Sequence, residues 1–235
     1  MPSFVPTHAH VDRYLRLRNV SYRLNNDMAR QIPKATFDGV AAELGMLRDG
    51  RLVLESEDMP AVLADCCIYD WYEDGTSLVQ RYAAAHSAPD GSDERYLLNA
   101  YLQARYRVLQ MRSAVHGAGV ACTDILTGED LFVMDMGLSR RTQLDHMLAS
   151  RTIPLGEYWM TGGAGLPMIP TEGFVETVRR LEKESGPGTA YGPRGLTIMI
   201  VRACLNAGAA EHALYAKPKA REPRHFTRRN RRRLQ

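Results

Sequence analysis

Cysteine is scarce in this chain of 235 residues. There are four, two of them adjacent (Cys66, Cys67) and two alone (Cys122, Cys204). No Cys-x-x-Cys pair exists, and neighbouring side chains on a helix diverge by about 100°, so spacing points to neither a redox motif nor a thiolate metal site. All four are expected to be small buried hydrophobes in a reducing compartment. Long apolar runs are missing too. The best, Leu196 to Leu205, is broken by Arg202 and falls well short of the ~20 residues that a bilayer span needs. The opening MPSFVPTHAHVDR has no basic stretch followed by an apolar one. No signal peptide is read, and a cytoplasmic protein without membrane contact is expected.

Catalytic signatures are equally thin. There is no Gly-x-Ser-x-Gly elbow. The glycine-rich stretches GGAG (162–165) and GPGTAYGPRG (186–195) lack the Gly-Lys-Ser/Thr of a phosphate loop and read as flexible turns. His8-Ala9-His10 would suit a metal if it closed a β-strand, but Pro6 precedes it and a helical pattern follows, so a solvated N-terminal arm is expected. No metal and no cofactor is expected. A chain of this size without a recognisable catalytic set reads as a binding protein rather than an enzyme.

What is present is ordinary for a globular protein, with 45% apolar and 24% charged residues. Apolar periodicity predicts helices over 10–31, 36–47, 56–72, 76–85 and 93–105, with RLVL (51–54) a short strand or a helix extension. The period shifts towards two at about Tyr106, and strands are predicted over 106–115, 120–126, 131–136, 147–155 and 158–161. Pro154 marks the fourth of these as an edge or a bend. Helices return over 171–185 and 196–214. The expected fold class is therefore α+β, in four parts. A mostly helical region (1–105) precedes a small five-stranded SH3-like or OB-like β-barrel (106–168). C-terminal helices (169–216) pack on this body, and a basic tail (217–235) follows.

Acids gather at Asp65, Asp70, Glu73 and Asp74, beside Trp71 and Tyr72. Asp70 and Asp74 are read as lying one helical turn apart, an arrangement suited to general acid–base work. The simpler account puts the acids on an exposed face, with Asp74-Gly75 ending the helix and the two aromatics packing on the barrel. Asp124, Glu129, Asp130 and Asp135 belong to the barrel segment, Glu129 and Asp130 in a turn.

The strongest signal is electrostatic. Lys217, Lys219, Arg221, Arg224, Arg228, Arg229, Arg231, Arg232 and Arg233 oppose a single acid, Glu222, in residues 217–235. That segment carries +8 of a formal net charge of +3, which leaves −5 for residues 1–216. Segregated charge points to a polyanionic partner. Seven arginines against two lysines favour RNA, because guanidinium groups grip phosphate bidentately and stack on bases. His225 and Phe226 add stacking surfaces, and the segment is expected to order only on its partner.

Three stretches, YDWYEDG (69–75), DILTGEDLFVMDMGLSR (124–140) and PLGEYWMTGGAGLPM (154–168), resemble bacterial proteins of the SEC-C-motif group. The resemblance covers less than half of the chain, from about Ile68 to Met168. Members of that group commonly carry a short Cys-rich zinc-binding motif near one end. Neither terminus contains Cys here, so zinc is not carried over, and no catalytic residue is implied. The Cys-rich element is associated with translation or protein-export machinery, which implies a ribosomal or RNA setting by analogy. The expected function is thus a non-enzymatic, ribosome-associated RNA-binding accessory protein. Its alternatives are a hydrolase using acids near Asp70 and Asp74, or an adaptor whose barrel binds a protein partner while the tail solubilises it.

Overall fold

The structure is a computed structural model that describes residues 4–54, 56, 58–140, 146–168, 172–184 and 192–209. Helix α1 (His8–Ala29) opens with a capping box: the Thr7 hydroxyl accepts from the His10 amide, and the His10 ring accepts from the Thr7 amide. The arm before it is largely exposed, Val5 at 76%, but it is tethered at one residue. Phe4 packs on Phe132 and Tyr158 with ring centroids 5.1 and 5.6 Å away, and His10 lies 5.7 Å from Tyr158. A large aromatic so close to the barrel gains more from burial than the short arm loses by ordering.

Helix α2 (Lys34–Glu43) starts from Pro33 rather than Thr36. Thr36 is buried inside it and donates to Glu73 at 2.6 Å. Strands β1 (Leu47–Arg48) and β2 (Arg51–Leu52) form a hairpin about Asp49-Gly50, both at positive φ. Helix α3 (Met59–Tyr69) stops short of the expected Tyr72. Strands β3 (Tyr72–Glu73) and β4 (Thr76–Ser77) follow, joined by Asp74-Gly75 at φ 50° and 78°. Asp-Gly with two positive φ angles is the chemistry of a tight hairpin turn rather than of a helix end. Trp71 anchors the break, lying so close to Gly39 of α2 that a Cβ there would meet its ring at 2.7 Å. Helices α4 (Leu78–Ala85) and α5 (Asp93–Tyr101) complete the N-terminal half, capped by Ser77 and Ser92.

Five strands then close a barrel: β5 (Arg105–Val115), β6 (Gly119–Asp124), β7 (Asp130–Met134), β8 (Met147–Pro154) and β9 (Trp159–Met168), in the order β5-β6-β7-β9-β8. Helix α6 (Met136–Ser139) sits between β7 and β8. Every pairing is antiparallel except β7 with β9. That parallel closure and the helix between the third and fourth strands match the OB-like alternative; an SH3-like barrel is antiparallel throughout. Pro154 is the last residue of β8 and no edge, because closure leaves none. The run from Gly162 to Gly165 lies inside β9 rather than after it. The pairing of β8 with β9 shifts register between Ser150 and Thr152, opposite these small residues.

Leu109, Met111, Val120, Cys122, Leu131, Val133 and Leu148 fill the barrel. Outward strand residues meet helices in two further clusters. One joins α2, α3 and the last helix, α8 (Gly192–Asn206), to Val108, Ala149 and Leu166; the other joins α1, α4 and α5 to Phe132, Ile153 and Met160. Helix α7 (Glu172–Glu184) adds Phe174 to the first. Helix α8 begins at Gly192-Pro193, read above as a turn, because proline is tolerated in a first helical turn. It ends at Asn206, not near 214. All four cysteines are buried and free. Among the described residues no helix is long and apolar enough to cross a membrane.

Candidate functional site

Two arginines that the strands carry into the interior organise the site. Side chains alternate along β5: Tyr106 and Val108 face the helices, while Leu109 and Met111 fill the barrel. Arg107 shares the barrel parity and is only 3% exposed. Its Nη1 donates to Asp124 Oδ2 at 2.7 Å and to Glu129 Oε2 at 2.8 Å, and its guanidinium lies 4.7 Å from the Trp159 ring centroid. Asp124 is held in turn by the Leu126 amide, 3.0 Å from Oδ1. This ion pair stoppers one end of the barrel.

On β8 the outward positions are Met147, Ala149, Arg151 and Ile153. Arg151 reaches α3, donating from Nε to Asp65 Oδ2 at 2.9 Å and from Nη2 to Asp70 Oδ2. It lies 4.3 Å from the centroid of the Tyr69 ring and 5.5 Å from that of Tyr106. The Thr197 side chain of α8 also bonds Asp70. Arg151, Asp65 and Asp70 are all buried.

Burial pushes the Asp70 carboxyl up to about 6, against the pull of Arg151 and with the help of Asp65. Burial likewise raises the Tyr69 and Tyr106 hydroxyls well above their ordinary range, so both stay protonated. Desolvation works against the Arg151 charge, but Asp65 and Asp70 outweigh it and the guanidinium stays cationic. Asp65, Cys66 and Asp70 bring potential metal ligands within 4.8 Å of one another. Arg151 already bonds both carboxylates, and burial holds the Cys66 thiol protonated. The trio is an ion-pair cluster whose cation is a side chain. The Cys67, Cys122 and Cys204 thiols, each raised to about 12, are equally inert.

Between the two arginines opens a cleft of about 340 Å³, bounded by the ends of α3 and α5, the start of α4, the barrel mouth and α8. Tyr69, Asp70, Tyr101, Arg105, Arg107 and Arg151 line it. Asp65 and Asp70, expected on an exposed face, are buried because Arg151 and the α3–barrel packing demand it. Asp74 is exposed at the β3–β4 turn, so the two acids do not form a helical pair. Asp124 is engaged by Arg107. Asp135 caps α6 and accepts from Thr161. His8 and His10 lie in the first turn of α1, away from the cleft. The expected RNA-binding residues Lys217, Lys219, Arg221, Arg224, Arg228, Arg229, Arg231, Arg232 and Arg233 lie outside the described residues. Sequence reasoning missed Arg107, Arg151, Tyr69 and Thr197. The available signal was an arginine interrupting a β-patterned apolar run, as in RYRVLQM and MLASRTIP.

A closed five-stranded barrel wrapped by helices, with a polar cleft at its mouth, defines the class: an α+β protein on an OB-like core. The chain belongs to DUF7986, a family of unknown function whose model matches residues 8–170. No curated protein and no solved structure matches it.

Proposed function

We propose that the protein is a non-enzymatic RNA-binding accessory protein of the cytoplasm, in which the arginine-rich segment 217–235 contacts RNA phosphates. One observation carries this reading: +8 of formal charge is concentrated in that segment, against −5 in the rest of the chain. An acidic body repels RNA and so favours contact through the segment alone. The cleft supports the same view, since its two buried arginines are held by carboxylates. A hydrolase built on Asp70 and Asp74 has only Asp70 at the cleft. The resemblance to the SEC-C-motif group favours a ribosomal RNA as partner.

The test is filter binding of single-stranded and ribosomal RNA across a salt series. The wild-type chain is compared with one ending at residue 216 and with a full-length chain carrying glutamine at Arg228, Arg229, Arg231, Arg232 and Arg233. Five neutralised phosphates correspond to a log–log salt slope of about −3.5. Both variants should therefore bind at least tenfold more weakly, with a flattened slope. Unchanged affinity and slope would refute the proposal. Co-purification with a protein partner and no RNA would replace it with the adaptor reading.

A further inference from the structure

We infer that the cleft at the barrel mouth takes a small organic monoanion, an apolar or aromatic body carrying one carboxylate, with the carboxylate on Arg105 and the body against Tyr72, Leu102, Leu126 and Leu196. The inference goes beyond the phosphate contacts proposed above and does not depend on them.

The charge that a ligand can reach comes first. Five charged residues line the cleft: Asp70, Arg105, Arg107, Asp124 and Arg151. Four of them are buried, Arg107 being held by Asp124 and Glu129, and Arg151 by Asp65 and Asp70. Arg105 alone is exposed, and among the described residues its guanidinium has no ion-pair partner. The strand puts it there. Side chains alternate along β5, so Arg105 shares the barrel parity of Arg107 and stands two residues, about 7 Å, further out along the mouth. Its backbone is fixed by pairing with Thr152, whose hydroxyl donates to the Arg105 carbonyl at 3.2 Å.

Apolar surface comes second. Among the described residues eight large apolar side chains are exposed, and two of these, Tyr72 at 37% and Leu102 at 50%, stand on this cleft. The half-buried Leu126 and Leu196 also line it. Apolar side chains left open beside a concave surface mark a ligand site rather than a scatter. Its volume of about 340 Å³ has room for one ring and a short chain.

The sign and number of charges come third. Each buried cluster sets one arginine against two carboxylates, so together they carry surplus negative charge. A dianion such as phosphate would face that surplus with a single guanidinium in its favour. One carboxylate is matched by Arg105 alone, whose planar fork can donate to both oxygens. A cation would find no carboxylate within reach in the cleft, because Asp70 and Asp124 are buried.

The experiment is calorimetric titration of the full-length chain at pH 7 with phenylacetate, in parallel with phenylacetamide, acetate and inorganic phosphate. Phenylacetate should bind saturably at sub-millimolar to millimolar concentration, and the other three at least tenfold more weakly, since each lacks either the charge, the ring or the single negative charge. Arg105→Gln should weaken phenylacetate at least tenfold, and Leu102→Ser at least threefold, with melting temperatures unchanged because both side chains are exposed. Arg51→Gln makes the same charge change on the β1–β2 hairpin, away from the cleft, and should leave binding as it is. A second arm titrates an N-acetylated short peptide ending in phenylalanine, with its terminal carboxylate free or amidated. Binding of the free form at least tenfold tighter than phenylacetate, and lost in Arg105→Gln, identifies a protein C-terminus as the source; weaker binding identifies a free acid. Absence of saturable phenylacetate binding, equal binding of the amide, acetate or phosphate, indifference to Arg105→Gln, or an equal loss in Arg51→Gln would overturn the inference. None of these results bears on whether segment 217–235 holds RNA phosphates.

Discussion

Arg151 is the residue on which the interior electrostatics turn. Its guanidinium is the only cation bonded to Asp65 and Asp70 among the described residues, and all three are buried. Removing one member of such a cluster leaves uncompensated charge, at a cost of about 3–5 kcal/mol. Arg151→Met should therefore lower the urea midpoint severely. Arg151→Lys should recover only part of the loss, because a single ammonium cannot reproduce the fork between two carboxylates. Asp70 supplies a separate test. Its folded-state value of about 6 lies above the ordinary 3.8, so between those values the folded protein binds more protons than the unfolded one, and stability contributed by this group falls as pH rises. Asp70→Asn abolishes that component. The free-energy gap between wild type and variant, from urea titrations at pH 4 and pH 7, should shift in that sense by about 1–3 kcal/mol, the equivalent of one to two pK units. No shift would mean that Asp70 titrates normally. The sequence made the four cysteines legible as buried groups, since small apolar residues have one usual fate. It hid the arginines, because a charged residue reads as solvated unless its partners are known, and these lie up to 86 residues away.

Secondary structure was legible where period and turn chemistry agree, and failed where a glycine has two uses. Four of the five barrel strands were read within two residues of their observed limits, whereas the fifth was read only to Thr161, because GGAG read as a turn and lies within β9. Glycine also marks close approach. At Gly162 an added Cβ would meet Arg151 Cβ at 3.3 Å and Asp65 Oδ1 at 3.4 Å, so this glycine marks where the ion cluster lies against the strand. The Asp74-Gly75 turn was seen, but its hairpin was not, since two-residue strands have no measurable period. Gly119 gives the sharpest test at this scale. A Cβ there would lie 2.2 Å from the Val133 carbonyl oxygen and 2.9 Å from Met134 Cα, both backbone atoms of the paired strand. Gly119→Ala should thus cost about 3 kcal/mol or more, the upper end for overpacking. Gly128→Ala sits at φ 72° with open space around it, and should cost only the left-handed penalty of about 1–2 kcal/mol. Melting curves of the two variants should rank them in that order; equal losses would contradict the close strand contact.

For the whole molecule, segregated charge could be read from composition, whereas the cleft could not. It is assembled from α3, β3, β4, α4, α5, β5, β6, β8 and α8, and no local pattern announces a meeting of nine elements. The same long-range assembly sets the limits of the folding unit. The family match ends at residue 170, but the core shared with the barrel does not. Ile200, Val201 and Cys204 of α8 are fully buried against it, with Ile198 and Phe174 nearly so, and Thr197 secures Asp70 from the same helix. At a minimum of about 1.5 kcal/mol for each of four large apolar side chains, their burial contributes about 6 kcal/mol, comparable to the whole stability of an ordinary domain at about 5–15 kcal/mol. A chain ending at residue 170 should therefore lose its cooperative thermal transition and bind a hydrophobic dye, while one ending at residue 209 should keep the transition. A sharp, wild-type-like melt from the shorter chain would show that the barrel and N-terminal helices suffice, and that the C-terminal helices only cover a body already complete.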